Sequence, residues 1–139
     1  MSKETQTSFL NPEKPNFYMD DIFNIADKVS DENGIILPDI TEADLAIPMT
    51  IGSEVVGLGF LFIKGDEAVL MRMIDPDHQG KGLSYKLMDE IIRIAQKKGV
   101  SKLVSVVKDT LSSRKALESS GFEIDWEEEG KIRYVKQLN

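Results

Sequence analysis

The rhythm of apolar positions changes from strand to helix at Leu83. Glu54 to Ile63 and Glu67 to Ile74 are rich in Val, Leu, Phe and Met and are separated by Lys64-Gly65-Asp66. That pattern predicts a β-hairpin. From Leu83 the spacing becomes helical: Leu83, Leu87, Ile91, Ile94 and Ala95 form one stripe, widened by Met88 and Ile92. Lys97 and Lys98 suit the last turn of that helix and Gly99 its end. Leu103 to Val107 then reads as a buried strand. Ser112 or Ser113 can cap a second helix that carries Ala116 and Leu117 and stops at Gly121. Phe122–Trp126 and Ile132–Leu138 alternate on either side of Glu129-Gly130, a closing hairpin.

Residues 67–107 thus form a strand–helix–strand unit, which requires a parallel strand pair and a right-handed crossover. Antiparallel hairpins flank it, so the expected fold is a single α/β mixed sheet with helices packed on it. The first third is less regular. Residues 1–16, polar and holding Pro12 and Pro15, read as a flexible N-terminal tail; residues 17–139 read as one domain. Tyr18, Ile22, Ile25, Ala26 and Val29 predict a short helix over 17–30, stopped by Asp31-Glu32-Asn33-Gly34. Thr41 can cap a turn through Asp44 to Ala46, and Ile47–Ile51 can be a strand.

Composition narrows the function more than the fold. The 139 residues contain no cysteine and one histidine, His78, which argues against a thiolate or multi-histidine metal site. The net charge of -7 disfavours nucleic acid as a partner and makes amines and basic peptides easier ones. No apolar run approaches the length of a bilayer span, so no membrane partner is expected, and the start of the chain lacks a signal-peptide core. A cytoplasmic location is the expectation.

The chemistry lies in Met71-Arg72-Met73-Ile74-Asp75-Pro76-Asp77-His78-Gln79-Gly80-Lys81-Gly82-Leu83-Ser84, between a buried strand and the first turn of the long helix. The first amides of a helix have no internal partner, and the helix dipole adds positive potential there. Glycines allow close approach to an anion, and Lys81 adds a charge. The same glycines would also suit a plain strand-to-helix connection, and the spacing matches neither a Walker A loop nor a full dinucleotide fingerprint.

This segment resembles motif A of the GNAT N-acetyltransferase superfamily, Gln/Arg-x-x-Gly-x-Gly/Ala after a strand, here Gln79-Gly80-Lys81-Gly82-Leu83-Ser84. Ile74-Asp75-Pro76-Asp77 resembles the family's strand exit, and Ala116 to Phe122 its closing helix with a Gly-Phe signature. The resemblance runs from about residue 54 to the C-terminus. It implies a GNAT-like acyl-CoA N-acyltransferase fold, with a central, mostly antiparallel mixed sheet flanked by helices. It also implies acetyl-CoA as cosubstrate, with the amides of Gln79 to Ser84 on the pyrophosphate and Met73 and Ile74 along the pantetheine arm. The strand ending at Ile74 would splay from Leu103–Val107 to open the thioester cleft. The acceptor would be a primary amine of a small molecule or peptide, with a homodimer left open.

Acyl transfer to such an amine needs deprotonation of a group with a pKa near ~10. It also needs a donor for the oxyanion, for which the Met73 or Ile74 amide is placed. The family's helpful side chains are missing. Positions that often hold glutamate are Ala68, Leu70 and Arg72, the frequent tyrosine is Leu117, and the frequent asparagine is Ser113. Substitute candidates are Tyr134, Glu54, Asp75 and His78, each of which also reads as an ordinary core, turn or surface residue. Arg72 among apolar neighbours could bind a substrate carboxylate or pair with Asp75 or Glu67. Glu127-Glu128-Glu129 reads as a solvated turn. Two alternatives stand beside the enzyme: a catalytically degenerate acyl-CoA-binding regulatory protein, and an interaction domain with no nucleotide site.

Overall fold

A computed structural model describes residues 7–9 and 43–138. The sheet runs in the order β1-β2-β3-β4-β5-β7-β6. Its strands are β1 (Thr7–Phe9), β2 (Leu45–Ile51), β3 (Glu54–Lys64), β4 (Glu67–Ile74), β5 (Lys102–Lys108), β6 (Glu123–Glu128) and β7 (Lys131–Gln137). Helix α1 (Leu83–Lys97) links β4 to β5, and α2 (Leu111–Ser119) links β5 to β6. Among the described strands only β4 and β5 are parallel; the other neighbours are antiparallel. This is the mixed, mostly antiparallel sheet that the sequence pattern predicts. Among the described residues no helix is long and apolar enough to cross a membrane.

The first third departs from expectation. Thr7–Phe9, inside the stretch read as a loose tail, pairs with Ile51–Met49 of β2. The turn expected through Ala46 is strand instead, because β2 already begins at Leu45. Asp44 sets that start: its amide donates to the Leu61 carbonyl at 2.9 Å, and its carboxylate accepts from the Ile63 amide at 2.6 Å. The helix expected over 17–30, its stop at 31–34 and the Thr41 cap lie outside the described residues.

Two glycines in β3 make room for their neighbours, Gly59 for α1 and Gly57 for side chains of the adjoining strands. A Cβ on Gly59 would meet Ile91 Cδ1 at 2.7 Å, and one on Gly57 would meet Ile74 Cδ1 and Met49 Cε at 2.9 Å. Leu83, Leu87, Met88, Ile91, Ile94 and Ala95 of α1 are buried against this face together with Ala68, Leu70 and Ile74 of β4. A second cluster, Ala46, Val55, Leu58, Phe60 and Met73, lies apart from it. The register of β2 against β3 slips between Met49 and Thr50, leaving Val56 as an extra residue. The Val56 carbonyl takes the Asp75 amide at 2.8 Å, which anchors the end of β4.

Two boundaries on the C-terminal side differ from the sequence reading. Thr110, not Ser112 or Ser113, caps α2: its hydroxyl accepts from the Ser113 amide at 3.1 Å. The strand expected at Phe122–Trp126 begins at Glu123, lies at the sheet edge and is exposed throughout, while Phe122 is buried just before it. The acidic run at Glu127 is not merely solvated, since Arg114 of α2 reaches Glu127 as well as Asp109.

Candidate active site

The site starts where two parallel strands part. β4 and β5 are paired only at Glu67–Lys102, Ala68–Leu103 and Val69–Val104. Beyond Val69 the end of β4 leaves β5, which continues alongside β7 to Lys108. This explains why β5 is not buried along its length as the sequence suggested: Leu103 to Ser105 are buried, but Val106 is 49% exposed.

At the end of β4 the chain makes one 3-10 turn over Pro76–His78, held by the Asp75 carboxylate, which accepts the Asp77 amide at 3.0 Å. The His78 amide donates to the Asp75 carbonyl at 2.8 Å, and the Gln79 side-chain amide reaches the Ile74 carbonyl at 3.4 Å. Gly80 and Gly82 follow with φ of 80° and 74°. A Cβ at either would meet nothing within 4 Å, so the left-handed backbone, not lack of space, calls for glycine there. Gly82 is also the residue that opens α1, with no side-chain cap and no acid in the first turn. The first amides of α1 therefore present their donors and the dipole's positive end without a local anion.

These parts border a cavity of about 450 Å³. Arg72, Met73 and Ile74 of β4, then His78, Gln79, Gly80 and Gly82 of the loop, then Leu83, Ser84 and Tyr85 of α1 form one side; Ser112, Ser113, Lys115 and Ala116 of α2 form the other. The cofactor-binding expectation thus gathers in one place, except that Lys81 is exposed and outside the lining. Tyr85 and the α2 residues were not among the sequence candidates. Tyr85 carries a signal in hindsight: it is a large aromatic off the apolar stripe of α1, one turn from the glycines.

Of the four candidate proton-transfer groups, Glu54, Asp75 and His78 lie together and Tyr134 stands apart. Tyr134 is fully buried in the core, outside the cavity lining, and its hydroxyl donates to the Glu118 carboxylate at 2.6 Å. Burial, and then that bond, push its pKa up to about 12. Asp75 is buried and serves the turn, and Glu54 is exposed at the start of β3; neither lines the cavity. His78 does line it, with Nε2 3.8 Å from the Glu54 carboxylate and a buried Nδ1 that has no hydrogen-bond partner among the described residues. One ligand atom from each of Glu54, Asp75 and His78 lies within 4.8 Å of the others.

Arg72 does not pair as the sequence reading allowed. Glu67 is engaged by Lys102 at 3.3 Å, and the Arg72 guanidinium donates to the Ser84 hydroxyl in the first turn of α1. Burial pushes its pKa below the ordinary arginine value while nearby Tyr85 opposes the change, and the group stays charged. Among the described residues, the cavity is lined by a guanidinium, an ammonium and an imidazole but by no carboxylate, in a chain of net charge -7.

A model of the acetyltransferase (GNAT) family matches residues 8–122. The chain belongs to that family. The match begins inside the stretch read as a tail, in keeping with strand β1. No curated protein matches by sequence. Solved structures show the GNAT fold in proteins of low identity. The ribosomal-protein-S18-alanine N-acetyltransferase of Escherichia coli is similar at 18% identity and TM-score 0.79, over 96% of this chain and 94% of that one. The yncA protein of Salmonella typhimurium, solved with its cofactor acetyl-CoA, gives 18% identity and TM-score 0.78 over 96% and 94%. The PaiA N-acetyltransferase of Thermoplasma acidophilum, solved with coenzyme A, gives 14% and 0.78 over 96% and 99%. At these identities the likeness establishes the GNAT fold of this protein.

Proposed function

We propose that the protein is an acetyl-CoA-dependent N-acetyltransferase that acylates a primary amine of a small molecule or peptide by direct attack on the thioester. One observation carries this reading: a cavity lined by Arg72 and Lys115 opens between the end of β4, beyond its last pairing with β5, and α2, at the N-terminus of α1, which has no side-chain cap. That environment suits a diphosphate at the helix start, and two fold relatives were solved with acetyl-CoA or coenzyme A. The Gln79–Ser84 turn would hold the diphosphate, and the end of β4 at Met73 and Ile74 would run beside the pantetheine arm.

In the reaction the amine nitrogen, once deprotonated, attacks the thioester carbonyl. A main-chain N–H at Met73 or Ile74 stabilises the oxyanion. The C–S bond then breaks, and coenzyme A leaves as a thiolate that takes up a proton. Of the four candidate bases, His78 is the one on the cavity wall, with Glu54 behind it, and it is the group we assign to accept the ammonium proton.

The absence of a lining carboxylate among the described residues favours a second reading, a protein that binds acyl-CoA without turning it over. Thiol release from acetyl-CoA, measured across a panel of small amines and peptide N-termini, separates the two. The enzyme reading predicts amine-dependent release for at least one class. Tight acetyl-CoA binding with only background release across the panel would establish the second.

A further inference from the structure

We propose that Arg72 is a diphosphate clamp, a side chain that reinforces the backbone cradle of the cosubstrate and does not bind the acceptor. The inference rests on the acetyl-CoA reading above and goes beyond it, because that reading assigns the anion to main-chain amides.

The case begins with a misplaced charge. Arg72 sits in β4 two residues before Ile74, on the strand face that packs against α1, with Ala68, Leu70 and Ile74 buried along the same register. A guanidinium there loses hydration and needs compensation. Glu67, at the far end of β4 and on its other face, is taken by Lys102, the Asp75 carboxylate accepts the Asp77 amide, and among the described residues no carboxylate pairs with Arg72. What it meets is the Ser84 hydroxyl, a neutral acceptor that uses one of its five N–H groups.

The neighbourhood makes the imbalance larger. Ser84 belongs to the first turn of α1, where the helix already presents positive potential, without a capping side chain or acid. Two positive sources, the guanidinium and the helix start, therefore converge on the same wall of the cavity. Such an arrangement is unfavourable by itself and becomes favourable when a multiply charged anion bridges both. The planar fork of arginine matches phosphate oxygens in paired hydrogen bonds, and Ser84 holds that fork at the loop that opens α1. An acceptor's carboxylate would have to compete with the diphosphate for the same corner.

The test is calorimetric titration of wild type, Arg72→Met and Arg72→Lys with acetyl-CoA, with S-acetylpantetheine (the same thioester and arm, no diphosphate), and with inorganic pyrophosphate. For Arg72→Met we expect acetyl-CoA and pyrophosphate binding to weaken by roughly 10- to 100-fold, as for loss of a charge-assisted bond, with S-acetylpantetheine unchanged within about twofold. Arg72→Lys, which keeps the charge but loses the fork, should fall between. It also decides the matter if the methionine variant does not fold: weaker acetyl-CoA binding with unchanged S-acetylpantetheine supports the clamp, and equal binding of both contradicts it. Unchanged acetyl-CoA affinity together with a raised KM for the acceptor would overturn the proposal and return Arg72 to the acceptor side. Failure of the wild type to bind acetyl-CoA would instead sink the cosubstrate reading itself.

Discussion

A tyrosine hydroxyl serves as a proton donor only where it faces the reacting atoms, and Tyr134 faces Glu118. Its alternation with core positions was visible in the sequence; the direction of its hydroxyl was not, since that depends on which residue of α2 lies across β7. We predict that Tyr134→Phe leaves acetyl transfer within about threefold of wild type and costs about 1 kcal/mol of stability for the lost hydrogen bond. The pH dependence follows from the raised pKa. The unfolded chain releases the tyrosine proton near pH 10, whereas the folded protein holds it to about 12. The folded state binds more protons in that window, so this contribution is fully present below pH 10 and is lost as pH rises towards 12. Denaturation midpoints between pH 9 and 12 should fall less steeply for Tyr134→Phe than for wild type. A large loss of kcat with normal stability would mean that the hydroxyl takes part in catalysis. Thr110 makes a related point: the sequence reading chose between Ser112 and Ser113, whereas the backbone path out of β5 puts the cap two residues earlier, at Thr110.

Among the elements, the hairpin β3–β4 and helix α1 carry the site, and they were the most legible. The switch from strand to helical periodicity at Leu83 gave their order, and Gly99 gave the end of α1. Less legible was why β3 contains Gly57 and Gly59, because a glycine in a strand is explained by what packs over it. Ile91 of α1 lies over Gly59. Gly59→Val adds β-propensity yet should destabilise the protein by about 1–3 kcal/mol through overpacking, seen as a Tm lowered by several degrees. An unchanged or raised Tm would show that α1 does not rest on β3 as described. Helix α2 is held differently. The Arg114 fork joins Asp109 at 2.6 Å and 3.1 Å and also reaches Glu127, which ties the second wall of the cavity to β6. Long-range pairs of this kind leave no mark in local sequence.

At the level of the whole molecule, the overall charge and the local charge point in opposite directions. A chain of net charge -7 gathers Arg72 and Lys115 around one cavity, with the uncapped start of a helix beside them. The mixed sheet, the crossover and the glycine loop could be read from residues 54–138, where apolar period and turn residues agree. The early part could not: Pro48 interrupts the pattern of β2, and nothing in the polar surroundings of Thr7–Phe9 announces a strand, because short edge strands are selected by their neighbours. The parting of β4 from β5 was expected from family resemblance and appears as a ladder of three paired positions.

The measurement that bears most directly on this account is titration of the full chain and its Gly82→Glu variant with acetyl-CoA. Wild type should bind saturably, with an affinity in the usual cosubstrate range of about 1 μM to 1 mM. Gly82→Glu puts a carboxylate at the left-handed residue that opens α1 and should show no binding, while Gly82→Asn, which tolerates that backbone without adding charge, should retain it. Equal affinity in wild type and Gly82→Glu, or no heat from the wild type up to millimolar acetyl-CoA, would contradict the assignment of the anion to this turn.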